Sequence, residues 1–177
     1  MRARLEKYKA GAQVDRPVSE LKLRMSSFRG SRLVRHAAAD MFDLVADFES
    51  YPQFVPFCLA ARTRHRAAGP AGVETLIAEM EVGLGPIRER FATRDTLDRE
   101  RLRIRIVGLD GPFRRFQSGW SFHDGPGGRG SRVVFATEYE FHNPALEAAL
   151  GPIFDQVFRQ LAQAFERRAN AKYRLTK

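Results

Sequence analysis

Four histidines, one cysteine and a scatter of carboxylates are the side chains that could turn over a substrate, and their spacing argues against it. His36, His65, His123 and His142 stand far apart, with no HExxH and no paired spacing that would hold a metal. Cys58 follows Pro56-Phe57 with no base beside it, which describes an inert thiol rather than a nucleophile. As the lone cysteine it excludes a disulfide framework and fits a reducing compartment. There is no GxSxG and no Walker A. The Gly-rich run Gly125 to Gly130 leads into a strand rather than a helix, so it reads as a hairpin loop and not as a phosphate cradle. No catalytic residue, metal ligand or cofactor is nominated. What the chain does have in quantity is Phe: fourteen, against four Tyr and one Trp. These either fill a core or line a cavity, and in the second case the chemistry is binding rather than turnover.

With 177 residues the chain is most simply one domain with a core of useful size. No apolar run reaches the length of a membrane span, and no apolar leader of the secretory kind opens the chain. A cytoplasmic protein, at most peripheral on the inner membrane, is expected. The net charge is +9, of which residues 1–30 carry +5. Such an excess favours nucleic acid, the ribosome or anionic lipid as partners, although Arg-rich usage accounts for part of it. Residues 1–30 show no sustained period and read as a basic extension: a disordered arm, a short helical piece, or sequence upstream of a true start at Met25. Glu6, Asp15 and Glu20 speak against a transit peptide.

The folded part is expected over residues 31–173. Ser31 to Arg35 reads as a short strand. Ala38 to Phe48 reads as a helix with Met41, Phe42, Leu44, Val45 and Phe48 on one face. Tyr51 to Cys58, bounded by Pro52 and Pro56, has room for a turn or two of helix. Six alternating segments follow, opening at Leu59, Thr75, Ile87, Arg101, Arg115 and Arg132, with Gly- and Pro-rich turns between most of them. Period-two patterning with one dry face and one wet face predicts an antiparallel meander. Pro144 to Tyr173 closes the chain as a long amphipathic helix. Asn143 suits its N-cap, and Gly151-Pro152 is expected to break or kink its first two turns. So broad an apolar face must be covered by the sheet.

This order resembles the START-like, helix-grip fold: an α+β architecture in which a curved antiparallel sheet of about seven strands wraps a long C-terminal helix, with two short helices after the first strand. Within that fold the chain resembles the polyketide cyclase/dehydrase-like family that holds the coenzyme Q-binding START-domain proteins and the ribosome association toxin RatA. The stretches that carry the resemblance are Met41 to Asp47, Tyr51 to Cys58, Gly111-Pro112-Phe113 leading to Gly119-Trp120-Ser121-Phe122, and Gly151-Pro152-Ile153-Phe154 leading to Ala164 to Ala169. It implies binding of ubiquinone or a similar isoprenoid lipid in an internal cavity, in support of respiration. It also implies, separately, an effect on ribosomal subunit association. Cyclase activity on aromatic polyketides is the remaining alternative, and no acid/base pair stands out for it.

Parity then nominates a cavity wall. The sheet supplies Met80, Val82, Phe91, Ile104, Phe116, Trp120 and Phe135, the helix Phe154, Phe158 and Leu161, and the Pro-bounded connector a rim of Tyr51, Phe54 and Phe57. A few isoprene units buried there, at ~0.8 kcal/mol per CH₂, would suffice for micromolar binding with no catalytic group. Glu89 shares the inward parity. It is either a polar anchor for a carbonyl head group or, if the strand bulges near Gly83–Pro86, a solvated side chain. Phe113 beside Arg114 and Arg115 reads either as a membrane-touching tip or as a plain tight turn. The sequence leaves oligomeric state open.

Overall fold

The computed structural model describes residues 25–173. Seven strands form one antiparallel sheet: β1 (Ser26–Val34), β2 (Cys58–Ala68), β3 (Val73–Leu84), β4 (Ile87–Asp98), β5 (Arg103–Asp110), β6 (Phe113–Asp124) and β7 (Ser131–Phe141). Their order in space is β1-β7-β6-β5-β4-β3-β2, so every neighbour but one is a sequential hairpin, and β1 returns to close one edge against β7. Helix α1 (Ala38–Ala46) and a 3-10 turn (Phe48–Gln53) connect β1 to β2, and α2 (Pro144–Lys172) ends the described chain. This is the curved sheet and long terminal helix expected from the alternation.

Several boundaries differ from the sequence reading. The first strand starts at Ser26, so residues 26–30 belong to the sheet and not to the basic extension; residues 1–24 lie outside the described range. The second short helix begins at Phe48 and includes Pro52, rather than lying between the prolines. Of the break or kink expected at Gly151-Pro152, the break does not occur: α2 continues through both residues. Pro152 lies exposed, as does Ala148, whose carbonyl loses the N–H that Pro152 lacks. Asn143 caps the helix as expected, its Oδ1 accepting from the Leu146 N–H at 2.9 Å.

The core lies between the dry face of the sheet and the helices. Phe42, Leu44 and Val45 from α1, and Leu150, Phe154, Phe158, Leu161 and Phe165 from α2, are buried against it. Aromatic rings dominate the contacts: Phe113 meets Phe154 edge-on at 5.1 Å, and Trp120 lies 4.4 Å from Phe135. His36, fully buried, ties the end of β1 to α2 through its Nε2 and Asn170 Oδ1 at 2.8 Å.

Candidate ligand-binding cavity

The inward face does not close completely against α2. A cavity of about 110 Å³ remains between them. Its walls come from four sources. Strands β3 to β7 give one side, with Leu76, Met80, Val82, Phe91, Leu97, Ile104, Ile106, Phe116, Trp120 and Phe135. Helix α2 gives the opposite side, with Ile153, Phe154, Val157, Phe158, Leu161 and Phe165. The end of α1 and the connector to β2 give Val45, Ala46, Phe48, Tyr51, Val55, Pro56 and Cys58. The polar lining is Thr93, Asp95 and Ser118.

Of the wall nominated from parity, Tyr51, Met80, Val82, Phe91, Ile104, Phe116, Trp120, Phe135, Phe154, Phe158 and Leu161 line this space. They meet there because the β3–β4 and β5–β6 pairs keep regular register opposite the lining positions: Val82 faces Glu89, Met80 faces Phe91, and Ile104 faces Trp120. Phe54 and Phe57 do not line it. Phe54 stands edge-on to Phe165 at 5.0 Å and lies beneath the Arg168 guanidinium at 5.4 Å, outside the wall. Phe57, whose backbone is left-handed at φ 63°, packs against the core without lining the cavity, while its neighbours Pro56 and Cys58 line it.

Two polar nominations need correction. Phe113 is no surface tip. It is 9% exposed and packed among Phe91, Phe116, Tyr139, Phe141 and Phe154, because β6 begins at Phe113 itself. Arg114 pairs with Glu140 across the wet face at 3.2 Å, and Arg115 is exposed. Glu89 keeps its inward parity, since the Leu84–Ile87 hairpin has no bulge, yet it is only partly buried and does not line the cavity.

The carboxylate that does line the cavity is Asp95, four positions beyond Phe91 on the same face of β4. It is 5% exposed. Its cross-strand neighbours are Leu76 on β3 and Ile106 on β5, both apolar. Burial pushes its carboxyl up to about 6, tempered by Thr93, which favours the charged form. Two other lining hydroxyls are engaged with the backbone. The Tyr51 hydroxyl donates to the Val45 carbonyl at 2.6 Å, and the Ser118 hydroxyl to the Ala136 carbonyl at 3.1 Å. Burial raises the Cys58 thiol to about 11, which keeps it protonated and poorly nucleophilic at neutral pH. One acid without a base at hand, in an apolar chamber, suits binding better than proton transfer.

A second space of about 130 Å³ lies between β1 and α2, lined by Phe28, Val34 and Met41 among others. It shares Trp120, Phe135, Phe158 and Phe165 with the first, so these four rings form a partition between the two.

Comparisons with known proteins agree with this architecture. Residues 34–166 match the family described as polyketide cyclase / dehydrase and lipid transport. The ribosome association toxin RatA of Escherichia coli K12 is 32% identical over 149 residues, covering 84% of this chain and 90% of that protein. The mitochondrial coenzyme Q-binding protein COQ10 homolog B of Xenopus laevis is 29% identical over 146 residues, covering 81% of this chain and 57% of that protein. The solution structure of the 18 kDa protein CC1736 from Caulobacter crescentus superimposes with a TM-score of 0.67 at 34% identity, covering 82% of this chain and 97% of that one.

Proposed function

The chain belongs to the polyketide cyclase / dehydrase and lipid transport family, and from that premise we propose that it is a non-catalytic binder and carrier of ubiquinone or a closely similar isoprenoid lipid. The observation that carries this reading is the apolar chamber between sheet and α2, walled by Phe91, Phe116, Trp120, Phe154 and Phe158. Flat aromatic walls suit a substituted ring, and the adjoining space between β1 and α2 gives an isoprenoid tail somewhere to run once the partition rings turn aside. The relative named for coenzyme Q binding supports the same ligand class. Native mass spectrometry with an added prenylated benzoquinone tests it, and a one-to-one complex is the expected result.

A second reading, contact with the ribosome, is favoured by the likeness to RatA. The wet face offers limited support. Many of its arginines are neutralised locally, Arg64 by Glu79 at 2.9 Å and Arg90 by Glu81 at 2.9 Å. Arg94 and Arg105, diagonal neighbours on β4 and β5, are exposed and have no ion pair among the described residues. Sucrose-gradient sedimentation with ribosomal subunits separates the readings. A charge-driven contact co-sediments at low salt and is lost steeply as salt rises, whereas a lipid carrier stays at the top of the gradient at both.

A further inference from the structure

Asp95 is the cavity-lining group that lipid burial leaves unused. Its Oδ1 is buried and has no hydrogen-bond partner among the described residues. Leu76 and Ile106 flank it on the adjoining strands, and the hydroxyls of Tyr51 and Ser118 already donate to backbone carbonyls. Thr93, two positions back on the same face, stands near enough to favour the charged carboxylate, but Oδ1 itself is left without a donor, which is costly for a buried carboxylate oxygen. Its missing partner is a hydrogen-bond donor, and the cavity is where one can be brought.

We propose that Asp95 is a head-group anchor that accepts a hydrogen bond from a hydroxyl of the bound lipid, so that the cavity prefers a ring bearing a free hydroxyl, a phenol or hydroquinone, over the same ring bearing only carbonyls. This rests on the cavity being a lipid site. A quinone carbonyl sets lone pairs against the lone pairs of the carboxylate, whereas a hydroquinone hydroxyl supplies the proton that Oδ1 lacks. Charge-assisted bonds of this kind are the stronger ones. The other titratable groups on the cavity wall are Tyr51 and Cys58. Burial pushes both up, so both stay neutral while Asp95 changes charge. When Asp95 is protonated it can donate to a carbonyl, and the preference relaxes.

The test is calorimetric titration of a short-chain alkyl benzoquinone and of its hydroquinone, under anaerobic conditions, into the full chain and into Asp95→Asn. At about pH 8, above the Asp95 titration, the native protein binds the hydroquinone about tenfold or more tightly. Asp95→Asn brings the ratio close to one, because its amide can both donate and accept. Equal binding of the two forms by the native protein overturns the anchor while leaving the lipid site standing. So does a preference that Asp95→Asn leaves unchanged. If neither form binds, the lipid site falls as well.

Discussion

Asp95 is a stability liability at neutral pH, and the direction follows from its shift. Its carboxyl titrates near 3.8 in an unfolded chain and is raised to about 6 in the fold. Between those values the folded state keeps a proton that the unfolded chain has released. Stability is therefore full below about 3.8 and is lost as pH rises through about 6. The loss amounts to ~3 kcal/mol at most. Asp95→Asn removes it, so thermal melts should place the variant further above, or less far below, the native protein at pH 8 than at pH 4. The same offset at both pH values would mean that Asp95 does not titrate in this range. Asp95 was not legible in the sequence because Arg94 beside it, and Asp98, Arg99 and Glu100 beyond, make it read as part of a charged turn. The signal was there all the same: the parity of Phe91 and Thr93 continues through Asp95 to Leu97, all four of them buried.

At the scale of elements, the hairpins decide which predictions hold. Where register is regular, as from Leu84–Ile87 along β3 and β4, alternation in the sequence puts Met80, Val82 and Phe91 on one face, and that face is the inward one. At two bulges elsewhere the sequence reading fails. The shift between Cys58 and Ala60 turns Cys58 inward and leaves Leu59 44% exposed. Another between Phe113 and Arg115 lies at the start of β6, in a stretch whose Gly-Pro approach reads as a loop tip. Here the turn is held by Gly111, at φ 123°, where an added Cβ would overlap Phe91 of β4. Gly111→Ala therefore strains the backbone and displaces a cavity ring together. It should lower stability by about 1–3 kcal/mol in denaturant titration and weaken ligand binding in step. A neutral effect would show that the β5–β6 turn yields without disturbing Phe91.

At the scale of the whole molecule, the sheet is curved around α2 without filling against it, and that incomplete closure is what separates a carrier from a packed scaffold. Period-two strands and one broad helical face were enough to anticipate the wrap. They could not decide between hollow and filled, because the same side chains at the same parity serve both, and only their contacts distinguish the two. Outer charge is arranged differently: ion pairs such as Arg66–Glu74 and Arg114–Glu140 stud the wet face, contribute little stability, and mute the positive field. The proposed lipid site therefore lies in the interior. Native mass spectrometry of the intact chain with a prenylated benzoquinone, beside a Val157→Trp variant that occupies the chamber, probes that interior directly. A one-to-one adduct on the native protein that the still-folded variant loses is the expected outcome. An adduct equally abundant on both, or none on either, would contradict a lipid site between the sheet and its helix.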